Sequence, residues 1–195
     1  MRNLPAQTTE YGPGGSQSVL EQLLARIASG DREALGQLYH RTRSAVYALT
    51  LSYTKNAQDA EDLMQDTFVR VWDSAGQYRG RGSAMGWLLA IARNLALMKL
   101  REREQQGSLD EDEWNALPAH SSSLTPEDRL LAQNALSTLD DQERRVVLLH
   151  AVAGLKHRET AALLDLPLAT VLSKYHRTLK TVSYTHLTLP TSLSV

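Results

Sequence analysis

The sequence contains no cysteine. That excludes a disulfide framework, a thiolate zinc site and a cysteine nucleophile, and it points to a cytoplasmic protein. The chain also lacks any run of about 18 consecutive apolar residues, so no membrane insertion is expected. Met1 to Ser18 hold Pro5, Glu10, Pro13 and three glycines without an apolar stretch, which is not the pattern of a secretory signal. Aromatic residues make up only 6% of the chain, with a single phenylalanine, and β-branched runs are rare. Both shortages favour helix over sheet. Charge of neither sign dominates: 21 Lys and Arg stand against 22 Asp and Glu, a formal net charge of −1. A polyanion binder over its whole surface is therefore not expected, although the average hides how the charges are placed.

At 42% hydrophobic and 22% charged residues over 195 positions, the chain has enough apolar material for one or two ordinary cores. Val19, Leu20, Leu23, Leu24 and Ile27 recur at helical spacing and stop at Gly30. Asp31 then reads as the N-cap of a helix carrying Ala34, Leu35, Leu38, Val46 and Leu49. A further helix is expected from near Asn56 to Asp59, with Ala60, Leu63, Met64, Thr67, Phe68, Val71 and Trp72 along it. Gly76, Gly80 and Gly82 break this pattern into a loop, and helical spacing returns from Met85 to about Arg103. Residues Gln105 to Asp128 contain six acids, two prolines and a Ser121-Ser122-Ser123 run but no Lys or Arg, the composition of a solvated acidic linker. A second helical block follows from Leu130 to about Lys180.

These patterns predict an all-α protein of two small helical domains joined by an acidic linker. The expected boundaries are a disordered tail over 1–18, a first domain over 19–104, the linker over 105–128 and a helix-turn-helix domain over 129–181. Residues 182–195 stand apart. Thr181 to Val195 carry no charged side chain, and Val182-Ser183-Tyr184-Thr185-His186-Leu187 resembles one reading frame of a DNA-sequencing adapter. The segment reads either as an assembly remnant or as a short β-like or disordered tail.

Two helices carry divided faces. After Leu163-Leu164-Asp165-Leu166, a new helix is expected from about Pro167, a residue suited to a first turn because its missing N–H costs nothing there. On this helix Leu168, Val171, Leu172, Tyr175 and Leu179 fall on one arc, and Ala169, Thr170, Ser173, Lys174, Arg177 and Lys180 on the other. A short helix, a tight turn and a helix with one apolar and one small basic side form a helix-turn-helix pattern. The small residues allow close approach to a groove, and Lys174, Arg177 and Lys180 can neutralise phosphates, with His176 as a phosphate neighbour. A solvated basic face on a terminal helix would read the same way. From Gly86 to Arg103, Trp87, Leu88, Ile91, Leu95 and Met98 line one arc, with Ala90, Arg93, Asn94, Leu97 and Arg101 along another. Arg and Asn can both read base edges. In the preceding loop Tyr78 lies between Arg79 and Arg81 on one side and Gln77 on the other, a composition that can stack on an unpaired base while arginines hold the backbone. Trp72 and Trp87 are read as core.

With these residues in place, a resemblance is plain. Asp59-Ala60-Glu61-Asp62-Leu63-Met64-Gln65-Asp66-Thr67-Phe68, followed by Val71-Trp72, resembles the core-polymerase-binding segment of the extracytoplasmic-function subfamily of sigma-70 factors. Trp87-Leu88-Leu89-Ala90-Ile91-Ala92-Arg93-Asn94 resembles the helix those factors use on the −10 promoter element. Leu139, Glu143-Arg144, Val147-Leu148-Leu149, Gly154-Leu155, Glu159, Ala161 and Pro167-Leu168-Ala169-Thr170-Val171 resemble the −35-binding domain.

The resemblance implies a dissociable, non-enzymatic subunit that binds core RNA polymerase and promoter DNA without a cofactor or metal. Asp62, Gln65, Asp66, Phe68 and Val69 would meet polymerase. Tyr78, Arg79, Arg81, Arg93, Asn94 and Arg101 would serve the melted −10 element, and Thr170, Ser173, Lys174, His176, Arg177 and Lys180 the −35 groove. Capture of an unpaired base would drive strand opening without hydrolysis. An anti-sigma factor is the implied regulatory partner.

Three positions depart from that pattern: Met98 where the family usually has Asp, Leu172 in place of a common basic residue, and Thr160 in place of Ile. His150 and His157 invite a metal reading, but Gly154 lies between them and no carboxylate pair accompanies them. No phosphate-binding GxxxxGK[ST] loop and no nucleophile elbow is present. The alternative is a stand-alone helix-turn-helix regulator, which would need a dimer and a palindrome instead of polymerase.

Overall fold

The computed structural model describes residues 13–106 and 139–187, with side chains over 19–105 and 139–180. The acids of the expected linker, Asp110 to Asp128, and the end of the chain from 188 lie outside the described residues. Among the described residues every regular element is helical, and no helix is long and apolar enough to cross a membrane.

The first unit consists of α1 (Pro13–Ala28), α2 (Arg32–Thr54), α3 (Ala57–Ser74), a 3₁₀ turn (Ala75–Gln77) and α4 (Ala84–Gln106). Gly30 makes the left-handed turn between α1 and α2 at φ +89°, a conformation open to glycine without a Cβ penalty. Asp31 then caps α2, its Oδ1 accepting from the Glu33 and Ala34 amides at 2.9 and 3.1 Å. The Ala34 amide bond, with the Arg26 guanidinium, holds the Asp31 carboxyl below its ordinary range. Asn56 caps α3 by accepting from the Asp59 amide at 3.0 Å. The helix starts predicted at Asp31 and near Asn56 are therefore where their caps place them.

Two ends differ from expectation. Helix α1 begins at Pro13, inside the segment expected to be a disordered tail. Helix α2 continues past Leu49 to Thr54, through residues of poor helix propensity. Tertiary burial decides that extension: every residue from Ala48 to Thr54 is buried, and the hydroxyls find partners. Thr50 donates to the Ala60 carbonyl of α3 at 3.0 Å, and Ser52 and Thr54 bond back to carbonyls of α2. The core of this unit is aliphatic, with Leu24, Ile27, Leu38, Val46, Leu49, Val71, Leu88 and Leu89 all almost fully enclosed. Trp72 and Trp87 pack against it, as their core reading requires.

The second unit runs through α5 (Asp141–Val147), a π-helical turn (Leu148–Val152), α6 (His157–Leu164) and α7 (Leu168–Leu187). Asp140 and Glu143 form a reciprocal capping box on α5, with bonds of 2.7 and 3.1 Å. Asp165 turns the chain in the left-handed region at φ 56°, and the Pro167 carbonyl accepts the first amides of α7. This α6-turn-α7 geometry is the predicted helix-turn-helix. The division of α7 needs one adjustment: Val171 and Thr178 point inward, whereas Leu179, assigned to the apolar arc, is 46% exposed. Thr178 tolerates burial because its hydroxyl donates to the Lys174 carbonyl at 2.9 Å.

The two units are in direct contact. Leu149, Leu155 and Leu163 join the aliphatic core of the first unit. Beside them the Arg145 guanidinium lies 3.9 Å over the Tyr53 ring and donates to the Ser52 carbonyl at 3.1 Å, while Lys55 and Asp141 approach to 3.4 Å. This seam explains why the end of α2 is buried on all sides.

Candidate functional site

Three surfaces hold the residues singled out in the sequence. On α3 the apolar spacing buries Ala60, Leu63, Met64, Thr67, Phe68 and Val71, which leaves Asp62, Gln65, Asp66 and Val69 outward. Val69 is 62% exposed, an apolar group offered to solvent among carboxylates. Phe68 is different from its expected role. It is turned into the core and meets Tyr39 edge-on at 4.9 Å, so it can set the position of α3 but cannot touch a partner. Asp59, which the sequence places at the start of α3 and of the polymerase-binding motif, fastens α3 to α4 through Arg103 and Lys99. Arg103 also donates to the Thr54 carbonyl at 3.3 Å. The sequence signal for this anchor was absent, since Asp59 and Arg103 are far apart along the chain.

The second surface joins the loop after α3 to α4. Arg79 and Arg81 are exposed. Tyr78 is part-buried: its ring lies 5.7 Å from Trp87, and its hydroxyl donates toward Glu21 at 3.1 Å and the Gly82 carbonyl at 3.0 Å. Burial, followed by the Glu21 carboxylate, pushes the Tyr78 hydroxyl up to about 12, so the phenol stays protonated. On α4, Asn94 and Arg101 are exposed. Arg93 is only partly so, and its Nε is buried with no hydrogen-bond partner.

The third surface is the outer side of α7. Ser173, His176, Arg177 and Lys180 are exposed and Thr170 is half-buried. Lys174 is not a free cation: its side chain is largely covered and its ammonium pairs with Asp140 at 3.1 Å. Arg177 binds Glu143 at 2.5 Å and approaches Asp140 at 3.9 Å. Burial would raise the Asp140 carboxyl, but the Glu143 amide and the Lys174 ammonium outweigh it and hold the group below its ordinary value. The capping box of α5 thus also orients two cations of the recognition helix. The Asp140 to Glu143 spacing was visible in the sequence; its reach across 34 positions to α7 was not.

The histidines are closer than the sequence reading allowed. Gly154, at φ +68°, and the π-helical turn fold the chain so that His150 and His157 stack at 4.3 Å, with Tyr175 against both at 4.7 and 4.8 Å. Among the described residues no three His, Asp or Glu side chains converge as a metal ion would need.

Comparison with known proteins agrees with this arrangement. Residues 38–106 match sigma-70 region 2 and residues 129–182 match sigma-70 region 4. The chain is 29% identical over 177 residues to the ECF RNA polymerase sigma factor SigK of Mycobacterium ulcerans, covering 87% of this chain and 94% of SigK. It is 30% identical over 163 residues to SigK of Mycobacterium sp. strain KMS, covering 80% and 84%. Among solved structures, CnrH in complex with the cytosolic domain of CnrY superposes with a TM-score of 0.59 at 25% identity, over 85% of this chain and 96% of CnrH. The sigma factor RpoE of Bartonella quintana, solved with the anti-sigma factor NepR, gives a TM-score of 0.61 at 24% identity, over 80% and 98%. With region 2 on the four-helix unit and region 4 on the helix-turn-helix, the chain belongs to the extracytoplasmic-function sigma factors of the sigma-70 family.

Proposed function

We propose that this sigma factor docks on core RNA polymerase through the outward side of α3, where Asp62, Gln65, Asp66 and Val69 combine carboxylates, an amide and an exposed valine. Such a surface fits a basic partner helix. Phe68 holds that face from behind. In the same reading the first domain, residues 19–104, serves the −10 element through Arg79, Arg81, Asn94 and Arg101, with Arg93 and Tyr78 becoming available when their present packing loosens. The second domain, residues 129–181, enters the −35 groove with Thr170, Ser173, His176, Arg177 and Lys180, and Lys174 acts mainly by fixing the helix against Asp140. Residues 105–128 tether the two.

One observation carries this reading: a face suited to a protein partner and a helix-turn-helix with an outward basic side occur in one chain, in the order of the two matched regions. The work of initiation here is binding energy directed at melted DNA, with no reaction catalysed by the chain itself. Regulation falls to an anti-sigma factor in the cytoplasm. CnrH, whose fold matches this one, was solved with a cytosolic domain of a second protein bound.

Capture of purified protein by core RNA polymerase, followed by run-off transcription on candidate promoters, tests the proposal. Wild-type protein is expected to be retained and to give promoter-dependent transcripts, and Asp66→Arg to abolish retention with helicity intact. Normal holoenzyme assembly by Asp66→Arg would remove α3 from the interface.

A further inference from the structure

Tyr78 is tied to α1, a helix that lies outside the residues matched to sigma-70 region 2. Its hydroxyl carries one proton and faces two acceptors, the half-buried Glu21 carboxylate of α1 at 3.1 Å and the Gly82 carbonyl of its own loop at 3.0 Å. Its ring rests 5.7 Å from Trp87, tilted by 58°. Burial keeps the phenol protonated, so the donor persists through the neutral range.

Both ends of this loop are fixed. At the start the Tyr78 amide donates to the carbonyl of buried Ala75 at 3.1 Å. At the end Ser83 is buried, its hydroxyl oxygen accepting from the Gly86 amide and its carbonyl from the Trp87 amide, each at 3.0 Å. Between the anchors Arg79, Gly80, Arg81 and Gly82 are all exposed. Gly80 and Gly82 hold φ of +68° and +80°, and the space around both is open. Glycine changes the sign of φ at little cost, so this stretch can re-form between its anchors. Tyr78 thus combines an aromatic ring able to stack on an unpaired base with a hydroxyl already committed to a carboxylate, one of the stronger classes of hydrogen bond.

We infer that Glu21 is a latch on Tyr78: it holds the ring against Trp87 in the free protein, and capture of an unpaired −10 base breaks the Tyr78–Glu21 bond as the ring swings out to stack. The inference rests on the reading of the Gln77 to Ser83 loop as a −10 contact and adds α1 to that machinery as a brake. A ring free to stack in about a tenth of the molecules binds a melted strand about tenfold more weakly than an unlatched one.

The test measures binding of a fluorescent single-stranded −10 oligonucleotide, taken from a promoter active in the run-off assay, to holoenzyme assembled from core RNA polymerase and the full chain. The variants are Tyr78→Phe, Glu21→Gln, Glu21→Ala, the Tyr78→Phe, Glu21→Ala double and the Arg79→Ala, Arg81→Ala double. Tyr78→Phe keeps the ring and removes only the tie. It and Glu21→Ala should each bind the strand about tenfold more tightly. Glu21→Gln should gain less, because its amide oxygen still accepts the bond without the charge. The Tyr78→Phe, Glu21→Ala double should bind no more tightly than either single variant, since both remove the same interaction. Duplex of the same sequence, which offers no unpaired base, should bind all of these as it binds wild type. Helicity and capture by core polymerase should be unchanged.

Unchanged strand affinity in Tyr78→Phe and Glu21→Ala would overturn the latch. So would a loss of affinity with helicity and core capture intact, because Glu21 would then support the capturing form of the loop. A gain from Glu21→Ala that recurs in full on top of Tyr78→Phe would also overturn it, as the carboxylate would be acting by repelling phosphates. Wild-type binding by the Arg79→Ala, Arg81→Ala double would remove the loop from the DNA interface and overturn the reading beneath the latch. Loss of binding in that double, with no gain in the Tyr78 and Glu21 variants, would overturn the latch alone.

Discussion

In the four-helix unit α2 is surrounded, and leucines from α1, α2, α3 and α4 meet in one aliphatic core. Among the described residues of the helix-turn-helix unit, Val146, Ala161 and Val171 form a small buried cluster of their own. The second unit compensates with polar fastenings: the Asp140–Glu143 capping box, the Lys174 and Arg177 pairs to those same acids, and a stack of His150, His157 and Tyr175. Exposed ion pairs contribute little, about 0–1 kcal/mol each, whereas buried leucines contribute several-fold more. The DNA-reading unit is therefore the weaker half. It also leans on the stronger one, since Leu149, Leu155 and Leu163 complete their burial against the first unit.

The sharpest break of this contrast is Leu88→Ala, at a side chain 1% exposed in the larger core. It should cost about 2–5 kcal/mol in chemical denaturation and destabilise both units, because the second rests on the first. Arg145→Ala addresses the seam alone. It removes a stacked guanidinium and a charged hydrogen bond, contacts on the order of 1–3 kcal/mol together. Scattering should show a larger radius of gyration with helix content unchanged, and an unaltered radius would mean the leucines suffice to hold the units together.

Glu143→Ala strikes the polar fastening. Losing the capping box and the Arg177 partner should cost about 1–2 kcal/mol, read as a lower melting temperature of the second unit only. Arg177→Ala should lower stability by up to about 1 kcal/mol through loss of the Glu143 pair, weaken binding to a −35 duplex and reduce the slope of log K against log salt by less than one, because Glu143 already matches part of its charge. Lys174→Ala should change that slope still less, as its ammonium is both paired with Asp140 and largely covered.

The smallest effect is the pH response of the ring stack. Desolvation, with the His150 and His176 charges, holds His157 below its ordinary 6.5 in the folded state. The unfolded chain then takes up the proton first as pH falls, so the second unit loses stability below about pH 6.5 and is unaffected well above it. Thermal unfolding at pH 8 and pH 5.5 should show the drop, and His157→Gln should flatten it.

Helix boundaries governed by local chemistry were readable from residues a few positions apart. Asp31 and Asn56 supply caps, Gly30 supplies a positive φ, and Asp165-Leu166-Pro167 turns into the recognition helix. The end of α2 was not readable, because Thr50, Ser52 and Thr54 are poor helix formers that only neighbouring helices can enclose. Site residues divide along the same line. Asp62, Asp66, Val69, Asn94, Arg101, Ser173 and Lys180 are outward, as the helical period demands. Phe68 looked available in the motif but belongs to the core, since an aromatic at that spacing meets Tyr39. Tyr78 and Lys174 were assigned to DNA from composition, yet Glu21 and Asp140 already occupy their polar ends.

By itself the sequence determined the helices, their caps, the two matched regions and hence membership of the sigma factors, because periodicity, capping and turn chemistry act over a few residues. Only the tertiary structure decided which charges are spent internally, that Asp59 fastens α3 to α4, and that the two units share a seam at Arg145 and Tyr53. Those outcomes depend on pairs tens of residues apart, whose meeting is set by packing and by the exclusion of water rather than by any local pattern.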